Sequence, residues 1–252
     1  MTASAPETIT RPGRAGGREL RPLGIVLLAS LLLWQLPFGG FVLYPFKLLG
    51  TWLHEGSHGL LMALTGAGFD RMEIFRDGSG LAHASGGAGQ VARALIAAAG
   101  YMGTPVWGVT ILAASRTQRG ARMALAALGL LLALSTVAVV SNRFGQIAIV
   151  STGAAALLVA AALPGRAVVI AAHVVAAQAC INAVVDIRVL FRPTLVVNGQ
   201  AVRDSDAHAM AKATFGTTDD WAVWLWAALW LAWSLALLYA VFRIVRQRAV
   251  TG

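Results

Sequence analysis

Long apolar runs are the feature of this sequence that most limits how it can fold. A helix that crosses a bilayer needs about 20 apolar residues. Runs of this kind fall near residues 22–37, 41–66, 92–115, 122–141, 144–163, 167–190 and 220–242. The chain is 58% hydrophobic and 12% charged, a composition that lies outside the range of soluble domains. We therefore expect an all-α polytopic membrane protein with about six to seven transmembrane helices, six if the short first run does not cross fully.

The distribution of charge supports this class and excludes others. The net charge of +9 comes from Arg and Lys residues in short clusters between the apolar runs, as is typical of residues that flank transmembrane helices. The sequence contains no stripe of basic residues with interleaved aromatic residues, so we expect no nucleic-acid partner. The single cysteine, Cys180, excludes an intrachain disulfide.

The start of the first apolar run suggests a boundary between a tail and a membrane domain. Residues 1–21 are rich in Pro, Gly, Thr and Arg, which indicates a disordered basic tail. Residues 22–248 then form a single membrane-embedded domain. More Arg and Lys residues fall on the N-terminal side of seven spans than on the other side, which predicts a cytoplasmic N-terminus. We expect an integral protein of the cell (plasma) membrane.

Two polar segments separate the apolar runs. Residues 69–85 alternate loosely around Asp77, Gly78, Ser79 and Gly80, which predicts a short β-hairpin at the membrane. Residues 192–220 contain an Asn198-Gly199 turn signal and predict a short helix from Ser205 to Thr214, with Ser205 as its N-cap.

The second apolar run contains the sequence HEGSH, which begins at His54 and ends at His58. This is an H-E-x-x-H motif, and on a helix two His residues four positions apart face the same way, so both can bind one zinc ion. Glu55 then lies beside the metal, where its carboxylate can act as the general base on a zinc-activated water. The motif predicts His54 and His58 as zinc ligands and Glu55 as the catalytic residue.

The surroundings of the motif strengthen this prediction. Its three ionisable groups lie in an otherwise apolar run, and each would cost about 2.5 to 3.5 kcal/mol at the bilayer centre without a partner. A metal ion and water satisfy all three. The alternative is a polar patch that hydrogen-bonds neighbouring helices, which explains a lone His better than it explains this triplet.

With these residues, the chain resembles the site-2 protease family of intramembrane zinc metalloproteases, in particular its small branch without extra domains. The resemblance extends to the Gly-rich hairpin segment, to Gly100-Tyr101-x-Gly103 and to Ser205-Asp206-Ala207. It implies a zinc metalloendopeptidase that hydrolyses a peptide bond of a membrane-protein substrate in or next to the lipid bilayer. The domain over residues 22–248 would then be a metalloprotease domain with zinc as its cofactor.

A catalytic zinc site usually has three protein ligands, so one more is expected. Asp186 is the first candidate, because it ends a polar stripe of Gln178, Asn182 and Asp186 on an apolar helix, where an idle carboxylate is costly. If the second and sixth helices run in the same direction across the membrane, Asp186 and His58 differ in membrane depth by roughly 6 Å. Hydrogen bonding between helices is the alternative role for the stripe.

Asp206 is the alternative third ligand. The family places its third ligand in an Asp-Gly motif on a later helix, whereas Ile187 follows Asp186 here. The Ser205-Asp206-Ala207 match lies in the segment that would return to the same membrane face, although Asp206 could instead lie in a capped surface helix. We expect Asp186 in preference to Asp206, with His83 in the hairpin as the next candidate.

Two other function classes remain as alternatives. A catalytically silent family member that binds a membrane partner would not need the general base, and Glu55 is intact. A transporter would also place polar groups at mid-membrane, but the sequence has no visible inverted repeat. The sequence predicts no oligomeric state.

Overall fold

The computed structural model describes residues 28–30, 32–33, 35–192 and 194–251, without the side chains of residues 241–242 and 244–251. The predicted tail, residues 1–21, and much of the first apolar run lie outside the described residues. In chain order the elements are α1 (Gly39–Val42), α2 (Tyr44–Leu64), β1 (Phe69–Ile74), β2 (Gly80–Ala84), α3 (Gln90–Ala114), α4 (Gln118–Ala138), α5 (Arg143–Ala162), α6 (Gly165–Ile187), a 3-10 turn (Arg188–Phe191), β3 (Leu195–Val197), β4 (Gln200–Val202), α7 (Asp206–Phe215) and α8 (Asp220–Thr251).

Five of the described helices are long and apolar enough to cross a membrane. They are α3, α4, α5, α6 with its 3-10 extension, and the first 21 residues of α8. Each corresponds to one of the last five apolar runs of the sequence. The helix α2 has 21 residues as well, but its charged and polar side chains set it apart from these five. The expected polytopic helical membrane protein with a short β-hairpin is thereby confirmed.

Helix α3 lies at the centre of the described fold and contacts α2, α6, α7 and α8. Small residues on α3 make this close packing possible. A side chain at Gly108 would collide with Cys180 and the Ala176 carbonyl of α6, and one at Gly103 would collide with Ser57 of α2. Helix backbones that approach this closely pack well in a membrane, where dispersion contacts replace the hydrophobic effect between helices.

The first hairpin consists of β1, β2 and their connecting turn, and it follows α2 as expected. The strands are antiparallel, with Met72 opposite Ala82. Three side chains of α2 hold its turn. The Tyr44 hydroxyl donates to the Arg76 carbonyl (2.6 Å), the Lys47 ammonium to that of Asp77 (2.5 Å) and the Thr51 hydroxyl to that of Gly78 (2.7 Å).

The outer edge of β1 is also paired, here with the connection between α4 and α5. The Met72 N–H donates to the Val139 carbonyl (2.7 Å), and the Ser141 N–H donates to the Met72 carbonyl (2.9 Å). The Asn142 amide bonds both the N–H and the carbonyl of Ile74. The first hairpin is therefore fastened on two sides, while residues of β2 line a cavity.

The second hairpin consists of β3, β4 and the turn at Asn198 and Gly199. The turn was predicted, but the two three-residue strands were not. Asn198 and Gly199 both have positive φ (51° and 74°), the conformation for which Asn-Gly is favoured in two-residue hairpin turns. The turn contacts the first hairpin, because the Gly199 N–H donates to the Asp77 carboxylate (2.9 Å) and the Asn198 N–H to the Ser79 hydroxyl (3.1 Å).

Candidate metal centre

Helix α2 presents the H-E-x-x-H residues to an internal cavity. Leu49, Trp52 and Leu53 are buried in the main hydrophobic core, which fixes the rotation of the helix. His54 and His58, one turn apart, then lie on the same face, with their ring centroids 4.7 Å apart. His58 is 5% exposed and Glu55 is 7% exposed, so the motif lies inside the protein.

Asp206 reaches the same place from the other end of the chain. It is the first residue of α7, and Ser205 caps this helix by accepting a hydrogen bond from the His208 N–H. Ala207, Met210 and Ala211 of α7 are buried in a second core cluster with residues of α3 and α8. The cap and this packing together fix the position of Asp206.

The ligand atoms of these three residues form a compact triangle. The Nε2 atoms of His54 and His58 are 3.0 Å apart, and Oδ2 of Asp206 lies 3.0 Å from the first and 3.2 Å from the second. Among the residues that the structure describes, this is the one group of three or more His, Cys, Asp or Glu side chains placed so that they could bind a single metal ion.

The triangle fits zinc. A tetrahedral zinc ion with bonds of about 2.0–2.1 Å separates its ligand atoms by about 3.3 Å, close to the three distances found here. Burial would raise the pKa of Asp206, but the adjacent His58 and His54 outweigh this effect and hold the pKa of the carboxyl below its usual range. The carboxylate is therefore in the ionised form that a metal requires.

His58 is oriented by a backbone carbonyl of α3. Its Nδ1 lies 2.6 Å from the Ile96 carbonyl oxygen. A carbonyl only accepts hydrogen bonds, so Nδ1 carries the proton and, in the neutral ring, Nε2 keeps its lone pair for the metal. Outer contacts of this kind fix the orientation and tautomer of metal-binding His residues.

Space for an ion is left by Gly100 of α3. A methyl group at this position would overlap the Nε2 atoms of both His54 and His58. The next residue, Tyr101, packs edge-on against the His54 ring at a centroid distance of 4.6 Å and stacks on Trp230 of α8 at 5.2 Å. Trp230 is 2% exposed, so this stack is an internal support for His54 and not part of a lipid-facing belt.

Glu55 lies between α2 and the first hairpin. The backbone N–H of Ala82 on β2 hydrogen-bonds to its carboxylate, and the charge of Glu55 interacts with His54, His58 and Asp206. A side chain at Gly80, also on β2, would collide with Thr51 and Glu55. Glycine at that position therefore lets the hairpin lie close to the carboxylate.

Asp186 lines the same cavity as the three grouped residues but does not belong to the group. The other members of its polar stripe bond to neighbouring segments. The Gln178 amide donates to the Ser30 hydroxyl (2.7 Å), and the Asn182 amide donates to the Phe46 carbonyl (2.7 Å). The stripe thus contains two contacts of the kind expected for helix packing, and the structure brings Asp206, not Asp186, to the two histidines.

The remaining candidate, His83, lies outside the group, and so does the other nearby histidine, His208. His83 on β2 pairs with Glu73 on β1, with Nε2 and Oε2 3.2 Å apart. His208 lies 2.8 Å from the Ser205 hydroxyl through its Nδ1. His83 therefore contributes to the first hairpin and His208 to the start of α7.

Several residues that support the centre gave no clear signal in the sequence. Ile96 and Ala82 contact His58 and Glu55 through main-chain atoms, and the identity of a residue does not reveal such contacts. Trp230 is one of several Trp residues on α8, and sequence alone does not distinguish it from those at the surface. Gly100 belongs to a noted Gly-rich motif, although its position against the ligands depends on how α2 and α3 pack.

The centre opens into a cavity of ≈ 1260 Å³. Both hairpins, α2, α3, α6 and α7 contribute to its walls. The side chains of His54, His58 and Asp206 are 16%, 7% and 28% exposed, and all three line this cavity.

A family model described as Peptidase M50B-like matches residues 23–241. The match includes both hairpins, all the residues of the metal-binding group and the five apolar helices. No curated protein and no solved structure shows a significant match to the chain.

Proposed function

Because the chain belongs to the Peptidase M50B-like family, we propose that it is an intramembrane zinc metalloprotease that hydrolyses a peptide bond of a membrane-protein substrate. The observation that carries this proposal is the meeting of His54, His58 and Asp206, whose ligand atoms lie within 3.2 Å of one another beside the buried Glu55. The chain also has five described helices that are long and apolar enough to cross a membrane, which suits a protein that is integral to a membrane.

His54, His58 and Asp206 are the proposed zinc ligands, and their grouping favours Asp206 over Asp186 as the third. When bound, zinc supplies Lewis acidity, which polarises a carbonyl group and makes water more acidic. The Asp206 carboxylate offsets part of the ion's charge, which is important where little solvent is available.

Glu55 is the proposed general base. Its carboxylate is held by the Ala82 N–H and lies next to both histidines. In this role it accepts a proton from the attacking water and donates that proton to the nitrogen of the leaving amine. Its burial supports the role, because a carboxylate shielded from solvent is a stronger base than one in water.

The proposed substrate is a membrane protein whose chain reaches the cavity from the surrounding bilayer. Large apolar side chains on the outer faces of the spans, such as Leu134 and Val137 on α4, are exposed and suit contact with lipid tails. We place the protein in the cell membrane with a cytoplasmic N-terminus, on the distribution of its basic residues.

The Glu55→Gln variant tests this function. The amide keeps the size of the side chain but cannot act as a base, so cleavage of a transmembrane model substrate in liposomes should fall by about 10²–10⁴-fold. Zinc content should stay at the level of the parent. Glu73→Gln is the matched control, because Glu73 pairs with His83 on the first hairpin and does not line the cavity.

Two results would contradict the proposal. Normal cleavage by Glu55→Gln would exclude the assigned mechanism. A parent protein that binds zinc, yet leaves the membrane proteome of its cells unchanged relative to a Glu55→Gln strain, would support a catalytically silent partner-binding protein instead.

A further inference from the structure

The second hairpin and its flanking residues, Thr194–Asp204, form a segment that we call the strap. Its residues Leu195, Val196 and Val197 line the same cavity as Gly80, Leu81 and Ala82 of the first hairpin. The strap leads directly into Ser205 and Asp206. It therefore connects one wall of the cavity to one of the proposed zinc ligands.

The strap touches the first hairpin through their two turns. The Asp77 carboxylate uses one oxygen to accept hydrogen bonds from the N–H (2.9 Å) and hydroxyl (2.6 Å) of Ser79, which fixes the first turn. Its other oxygen accepts the Gly199 N–H (2.9 Å) of the strap, and the Ser79 hydroxyl accepts the Asn198 N–H (3.1 Å). One carboxylate thus organises its own turn and binds the opposite turn.

The charge of Asp77 suits this role. Burial would raise the pKa of Asp77, but hydrogen bonds from Ser79 and Gly199 and the charge of Lys47 outweigh it and lower the pKa. The carboxylate is therefore ionised at neutral pH, and hydrogen bonds to an ionised acceptor are stronger than those between neutral groups.

The two hairpins are held very differently. The first is fastened to α2 by Tyr44, Lys47 and Thr51 and to the connection after α4 by backbone pairing. Between the strap and the first hairpin, the described hydrogen bonds are the two at the turns, and both are exposed. Water replaces exposed hydrogen bonds at little net cost, so the strap can separate far more readily than the first hairpin can.

We propose that the strap is a movable cover of the cavity, that Asp77 holds it closed, and that it must separate from the first hairpin before a substrate chain can reach the centre. This inference rests on the proposed protease function. It is supported by the limited exposure of the His54, His58 and Asp206 side chains (16%, 7% and 28%) and by the position of the strap in the wall of the cavity that they line. Asp77 is thus a positioning residue: it acts by holding the strap through the Gly199 N–H and not by contact with the substrate.

A reversible cross-link between the two turns tests the cover directly. In a Ser79→Cys, Asn198→Cys variant, the close contact between these positions should allow a disulfide to form on oxidation. The oxidised form should keep its zinc but cleave a transmembrane substrate about tenfold or more slowly than the reduced form of the same protein. The Ser79→Cys single variant is the control, because the other thiol, Cys180, is buried.

The outcomes of this experiment separate the two proposals. Equal cleavage by the oxidised and reduced forms would overturn the cover, and so would failure of the disulfide to form in zinc-bound protein. If the parent and the reduced variant both fail to cleave the substrate, the proposed function fails, and the cover is then decided by a measurement that needs no activity.

That measurement is hydrogen exchange in the Asp77→Asn variant. The amide oxygen can still accept from Ser79, but the NH₂ group cannot accept the Gly199 N–H, so only the bond to the strap is removed. Amide exchange in residues 195–202 should become about threefold faster or more, while exchange in β1 and β2 stays unchanged. Asp70→Asn is the control, since Asp70 pairs only with the neighbouring Arg71. Unchanged exchange in residues 195–202 would overturn the assignment of Asp77.

Discussion

The two sides of the candidate metal centre are built in different ways. His54 and His58 lie one turn apart on a 21-residue helix whose other face is fixed in the hydrophobic core. Asp206 begins a ten-residue helix at the end of a hairpin that is held mainly by its turn. The first side is specified by spacing along one helix. The second depends on the packing of segments that are far apart in the sequence.

Removal of both histidines should have the largest effect, because it destroys the helical side of the centre. We expect a His54→Ala, His58→Ala variant to lose the approximately one equivalent of zinc that the purified parent should hold. Metal analysis of both proteins measures this. His83→Ala, which removes an imidazole outside the centre, should keep its zinc.

Equal zinc in the double variant and the parent would show that the metal binds elsewhere. The contrast between a histidine side and an Asp206 side of the centre would then have no basis. Zinc loss in His83→Ala would point to the first hairpin as a source of ligands.

The second prediction compares the two candidate carboxylates. Asp206→Asn keeps the shape of the side chain but removes its negative charge, so we expect zinc affinity to fall by about 10²-fold or more. Asp186→Asn should change it little, since Asp186 lines the cavity outside the ligand group. A titration with a competing zinc chelator measures both affinities.

The opposite order of the two midpoints would reassign the third ligand to Asp186. If neither variant shifts the midpoint, the third ligand is neither of these residues. The assignment of Asp206 at the start of α7 is then wrong.

Gly100→Ala should have an intermediate effect. Its methyl group would overlap both imidazoles, so we expect zinc affinity to fall by about tenfold, with further loss if the rings cannot move apart. The matched control is Gly56→Ala, which adds a methyl group to α2 at a position where it would point into open space. Chelator titration of both variants decides whether Gly100 keeps space for the ion, and equal midpoints for the two would argue that it does not.

The smallest effect is expected at Ser205, the N-cap that holds the start of α7 in place. Loss of an N-cap costs about 1 kcal/mol, so zinc affinity of Ser205→Ala should fall by up to about fivefold. Ser205→Thr keeps the capping oxygen and should retain most of the affinity. A larger loss in Ser205→Thr than in Ser205→Ala would show that the hydroxyl is not acting as a cap.

The contrast between the two sides also explains how much the sequence could predict. Each apolar helix is specified by its own composition, and the H-E-x-x-H spacing needs only the geometry of one helix, so the apolar helices and the pairing of His54 with His58 on one face could be predicted. The first hairpin was found through its turn residues. The strands of the second hairpin are three residues long and too short for a pattern.

The third ligand shows where such reasoning ends. Asp186 was preferred because an idle carboxylate is costly inside a membrane, but the structure places Asp186 in the wall of a cavity that contains other polar groups, where this argument loses force. Whether a residue faces lipid, a helix or a cavity depends on how the helices pack. Asp206, which the structure groups with the two histidines, had a local signal, an N-cap followed by an acidic residue, yet that signal is shared by ordinary surface helices.

The hydrogen bond from His58 to Ile96 has a consequence for how the protein can tolerate sequence drift. Because the acceptor is the main-chain carbonyl, a substitution of the side chain at position 96 leaves the acceptor in place. Ile96 lines the cavity, so substitutions at this position can change the cavity wall without removing the acceptor that His58 Nδ1 uses. Only a change that bends or shifts α3 itself, such as a proline introduced nearby, would remove this control.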